Sequence, residues 1–84
     1  MVTKTQLQVT EAVAATVSTV LAEQGHSTKS AAEKTGIPRA TLTRRLLGYS
    51  DFKMDELTRI GNLVGMPVSV IVARAEGRTE RNAS

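Results

Sequence analysis

Cysteine is absent from the 84 residues, so neither a disulfide framework nor a thiolate zinc site can reinforce the fold. The one histidine, His26, has no second histidine or cysteine with which to share a metal, and it reads as a turn residue between Gly25 and Ser27. No apolar run approaches the roughly 20 residues that a transmembrane helix needs. The stretch from Ala12 to Ala22 behind Lys4 has the outline of a signal-peptide core. Glu11 at its edge, Thr16, Ser18 and Thr19 within it, and the scarcity of leucine make it instead a helix of the mature protein. The chain is therefore expected to be soluble and cytoplasmic. Catalytic machinery is also missing. No nucleophile–base pair or paired carboxylates can be assembled, and Gly61 and Gly65 enclose no basic residue that could complete a phosphate-cradling loop. No enzyme activity, cofactor, metal or small-molecule ligand is expected.

What is present supports one core. An apolar content of 40% over this length suffices for a single domain held by packing alone. The formal net charge of +3 says little, but its distribution says more. Residues 27–48 hold Lys29, Lys34, Arg39, Arg44 and Arg45 against Glu33, leaving +4, while the remaining six basic and seven acidic residues leave −1. Such a concentration is the electrostatic footprint expected for a polyanionic partner.

The chain divides into five predicted helices. Thr5 and Gln8 have capping-box spacing, and Val9, Val13, Val17, Val20 and Leu21 then mark one face of a helix that runs to about Gln24 and stops at Gly25. Alanine fills much of the rest of that helix and suits close approach by others. Ser27 is a natural N-cap for a two-turn helix over 28–35 that ends at Gly36. Ile37 precedes a proline and belongs to a turn. Pro38 opens a third helix, about 38–47, which stops at Gly48. Met54, Leu57, Ile60, Leu63 and Val64 form the stripe of a fourth helix, with Asp55 and Glu56 well placed in its first turn and Gly65 at its end. Val68, Val70, Ile71 and Val72 have strand propensity, but nothing else in the chain offers a strand partner, so a fifth helix from Pro67 to Gly77 is expected. Arg78 to Ser84 is expected to be a disordered tail.

The second and third helices carry the function. Ala32 is small where they cross, Gly36 permits the positive φ of the turn, Ile37 plugs the crossing, and Leu42 and Leu46 bury the inner face of helix 3. Opposite them Arg39, Ala40, Thr43 and Arg44 fall within an arc of about 140°. This polar, cationic and short-chained face can enter a DNA major groove. There an arginine can bind guanine O6 and N7, and threonine or alanine can meet a thymine methyl.

Ala32, Gly36, Ile37 and Leu42, then Gly48, then Leu57, Ile60, Leu63, Val64, Gly65, Met66 and Pro67, together resemble the Cro and phage-repressor class of helix-turn-helix proteins, the XRE-like family, over roughly residues 10–76. The resemblance implies an all-α, lambda-repressor-like bundle of five short helices. It further implies a transcriptional regulator of phage or prophage type that inserts helix 3 into the major groove of an operator in double-stranded DNA. By position, base contacts fall on Arg39, Ala40 and Arg44. Phosphate contacts fall on Thr28 and Lys29 beside the cap Ser27, where backbone donors and the helix dipole reinforce side chains. Tyr49 and Lys53, in the connection after Gly48, are weaker phosphate candidates. Two positions depart from the family's pattern. Pro38 stands where a capping Ser or Thr is usual. Arg45 stands where an apolar residue is usual, so that Leu46 takes over the packing and Arg45 lays its stem on the core and sends its guanidinium to a phosphate. Homodimerisation through Val68, Ile71 and Val72 of helix 5, with half-sites about 34 Å apart, is the expected geometry. The rival readings are a protein-interaction module such as an antitoxin or anti-regulator working through helices 4 and 5, and a DNA-bending recombination accessory protein.

Overall fold

A computed structural model of the chain describes the backbone of residues 4–83 and the side chains of residues 9–78. Five helices follow one another as α1 (Lys4–Glu23), α2 (Thr28–Thr35), α3 (Arg39–Leu46), α4 (Met54–Val64) and α5 (Val68–Ala83), with no strand among the described residues. The β-branched run at the start of α5 is helical because no second strand exists to satisfy its backbone in a sheet. The side chains of Thr5 and Gln8, and with them the proposed capping box, lie outside the described residues.

α1 packs against α5 most extensively and also against α3 and α4, while α2 packs on α3 and α4. The alanines explain how one helix serves so many partners. Ala12 and Ala14 are buried on α1 beside Val17, Val20 and Leu21, and their small side chains let neighbouring backbones come close. Thr16 is buried among them and donates its hydroxyl to the Ala12 carbonyl at 2.8 Å, so no polar atom is left unsatisfied there. Val9 does not belong to the core as its periodicity suggested. It is exposed, and among the described side chains of α1 the first buried one is Ala12.

α4 buries Leu57, Ile60 and Val64 as expected, but Met54 in its first turn is exposed and the buried member there is Glu56. At its other end the chain reverses: α4 and α5 meet at a bend of 101° across residues 65–67. Gly61 makes that reversal possible. A Cβ built there would lie 2.4 Å from the Met66 carbonyl oxygen, so the returning backbone occupies the space of a side chain. The Gln24 side chain donates to the Val64 carbonyl at 2.9 Å, tying the end of α1 to the end of α4.

Two expectations about α5 are corrected. The helix does not stop at Gly77 but continues to Ala83, so the segment read as a tail from Arg78 onward extends it in backbone as far as that residue. Isolated glycine costs a helix only about 1 kcal/mol, and the polar residues after it are acceptable helix formers. Ile71, named as a dimer contact, is 1% exposed within the core of its own chain, with Val68 half-buried against the same cluster. Val72 is also half-buried.

Candidate nucleic-acid interface

The α2–α3 unit is fixed by short-range chemistry that the sequence encodes directly. Ser27 has extended geometry (φ −79°, ψ 166°), and its hydroxyl oxygen accepts the Ser30 N–H at 3.0 Å, which caps α2. α2 ends on Gly36 at φ 78°, where a side chain would be strained, and the Gly36 N–H returns to the Ala32 carbonyl at 2.9 Å. Thr35 bridges the turn: its hydroxyl donates to the Ala31 carbonyl at 2.7 Å and accepts the Ile37 N–H at 3.3 Å. Ile37 then drops into the crossing beside Ala31, Ala32 and Leu42, all buried. Pro38 precedes α3 with no side-chain cap, its φ of −54° already suited to the helix entry.

α3 turns Leu42 inward with no exposed surface and packs Leu46, half-buried, against the same cluster. Its opposite face is open. Arg39, Ala40, Thr43 and Arg44 are all exposed. The Thr43 hydroxyl donates to the Arg39 carbonyl at 2.9 Å. Neither the Arg39 nor the Arg44 guanidinium forms an ion pair or hydrogen bond with any other described residue. Two guanidinium groups thus stand in water on one face of a rigid helix.

Arg45 has a different environment from its two neighbours and from the phosphate contact expected of it. Its guanidinium turns inward onto Glu56 of α4, Nε donating to Oε1 at 2.9 Å and Nη2 to Oε2 at 3.4 Å, while Nη1 donates to the Ser50 hydroxyl at 2.6 Å. Only 14% of the Arg45 side chain and 10% of the Glu56 side chain are exposed. An arginine at a position facing the core must find a carboxylate, and Glu56 supplies it. The same carboxylate accepts the Lys53 N–H at 2.8 Å and so completes the first turn of α4. Burial alone would raise the Glu56 pKa, but hydrogen bonds from Arg45 and the Lys53 backbone, with the charges of both residues, outweigh it and hold the carboxyl below its ordinary value. Ser50 and Glu56 were not distinguished as partners of Arg45 in the sequence, where nothing but a misplaced cation at 45 and an acidic residue eleven positions on could have signalled the pair.

The remaining candidates flank this unit. Lys29 is exposed in the first turn of α2 and Thr28 is half-buried. Tyr49 is 76% exposed, its backbone N–H closing the end of α3 on the Arg44 carbonyl at 3.1 Å, and Lys53 is exposed at the start of α4. The connection that bears Tyr49 and Lys53 is anchored on α1: Gly48 lies against Glu11 and Ala14, and the Thr10 hydroxyl donates to the Asp51 carboxylate.

Among solved structures, the clp gene regulator ClgR from Corynebacterium glutamicum has the same fold, with a TM-score of 0.83 at 20% sequence identity over 89% of this chain and 80% of that one. No protein-family model matches the sequence, and no curated protein matches it.

Proposed function

We propose that this chain is a DNA-binding transcriptional regulator, of the phage or prophage repressor and Cro type, that places α3 in the major groove of an operator. The observation that carries this reading is the outer face of α3. Arg39 and Arg44 are exposed and unpaired there beside Ala40 and Thr43, although acidic residues elsewhere in the chain pair with Arg45 and Arg59. Unpaired arginines on a rigid, otherwise short-chained helix face suit bidentate contact with guanine edges. Lys29, with the capped N-terminus of α2, and the exposed Tyr49 and Lys53 suit phosphate oxygens. Arg45 drops out of the contact set and instead fixes α3 to α4. The fold shared with a gene regulator is in keeping with this assignment.

The interaction-module reading loses its main support, because Ile71 is spent on the chain's own core. Pairing through α5 on a pseudo-palindrome would have to use what that helix leaves outward, chiefly Val70, which is 38% exposed. Gel-shift titrations with a selected duplex and a scrambled one test the proposal. Arg44→Ala is expected to abolish the preference for the selected duplex while non-specific binding survives, and Lys29→Ala to weaken both. Equal losses on both duplexes for Arg44→Ala would remove the base-reading role.

A further inference from the structure

The face of α3 contains a large apolar residue that the fold leaves uncovered. Leu47 follows the last residue of the helix and keeps helical geometry (φ −82°, ψ −5°), its N–H donating to the Thr43 carbonyl at 3.0 Å. At 100° per residue it falls on the stripe of Ala40, Thr43 and Arg44, which lie seven, four and three positions before it, and close to the middle of the exposed arc. The chain then leaves through Gly48 at φ 80°, with the Gly48 N–H on the Arg45 carbonyl at 3.1 Å and the Tyr49 N–H on that of Arg44. This closed cap directs the chain onto α1 and leaves Leu47 uncovered, 59% exposed, between cationic neighbours. A leucine held this rigidly on an open face is placed to meet something apolar.

We infer that Leu47 is a specificity-determining residue that reads thymine 5-methyl groups in the major groove. The inference rests on the proposed reading of α3 as the base-contacting helix. α3 has eight residues, about 12 Å at 1.5 Å each, close to the groove's width of about 12 Å, so its last turn lies within reach of base edges as well as its first. Thymine is the base that offers an apolar group in that groove, and alkyl side chains recognise it by contact. Ala40 lies two turns away on the same stripe, about 10 Å along the axis, equal to roughly three base-pair rises. The apolar midline of Ala40 and Leu47 is bordered by Arg39 and Arg44. Such a cationic border favours a groove between phosphates over an apolar protein surface.

The test begins with selection of bound sites from random duplexes by the full chain. In the selected duplex each thymine is then replaced singly by deoxyuridine, which removes the methyl and preserves pairing. Wild type is expected to lose about fourfold in affinity at one or two positions, the equivalent of one buried methyl. Leu47→Ala and Leu47→Gln are expected to bind the thymine duplex correspondingly less well and to ignore the substitution at the position Leu47 reads. Because Leu47 is exposed, both variants should keep the wild-type circular dichroism and melting temperature. Unchanged thymine-over-uracil discrimination in both variants would overturn the inference while leaving the regulator reading standing, as would variants that change only self-association. Failure of the selection to enrich any sequence would overturn the regulator reading and this inference with it.

Discussion

At the scale of single residues, two glycines of opposite consequence stand in helices. The missing Cβ of Gly61 is replaced by the Met66 carbonyl, which would sit 2.4 Å from it, and backbone in a packed reversal cannot retreat. Gly61→Ala is therefore expected to lower stability by about 2–4 kcal/mol. Gly77 has nothing within 4 Å of its Cβ position and no positive φ, so Gly77→Ala should raise stability by about 0.5–1 kcal/mol through helix propensity alone. Urea denaturation of both variants checks the pair, and a neutral Gly61→Ala would refute the close approach. Neither role is visible in the sequence. Gly25, Gly36, Gly48 and Gly65 lie at breaks in the hydrophobic pattern and announce themselves as helix stops. Gly61 lies inside a pattern, and what excludes a side chain there comes from five residues further on. Leu47 was silent for a related reason: periodicity shows that a leucine could face inward, whereas its burial depends on where Gly48 sends the chain.

At the scale of elements, the Arg45–Glu56 pair is a side-chain link between α3 and α4, which otherwise pack on α2 and α1. Breaking it by Glu56→Ala leaves a guanidinium in a site that is 14% exposed, at an expected cost of about 2–3 kcal/mol. Replacing both partners by apolar residues of similar size, Arg45→Met with Glu56→Leu, should return stability to within about 1 kcal/mol of the native value. Chemical denaturation of the single and double variants gives the coupling directly. The pair also sets an acid limit. Because the Glu56 pKa is lower in the folded chain than its unfolded value of about 4.3, the stabilisation it brings is complete above that value. It is lost as pH falls through the lower folded pKa. Melting temperatures measured from pH 6 down to pH 3 should accordingly fall more steeply for wild type than for Glu56→Gln, which begins lower and has less to lose. Helix order, the glycine stops of α1 to α4 and the inner faces of α2 and α3 were legible beforehand, because caps, turns and 3.6-residue periods are local signals, whereas the end of α5 was not. The pair was not legible, since its two members meet only after α3 and α4 have each packed on α1 and α2. The same limit explains Ile71: an apolar excess on α5 can be spent inside the chain or outside it, and composition does not say which.

At the scale of the whole molecule, the fold closes through α5. α1 finds its largest partner there, and Ile71 and Ala75 supply buried surface to a molecule whose radius of gyration is only 12.2 Å. A domain this small has little stability in reserve. A chain ending at Met66 should therefore lose cooperative thermal unfolding altogether, even though every residue of the α2–α3 unit remains. A sharp calorimetric transition in that shortened chain would show α5 to be dispensable. The open stripe of α3 has a converse property. Its residues fill no core and pair with no carboxylate, while Leu42, Leu46 and Arg45 on the other side of the same helix carry its attachment. Holding the helix and presenting it are thus divided between two faces. Substitutions on the outer one are expected to leave folding intact, so that what the helix presents can be changed while the scaffold that holds it stays the same.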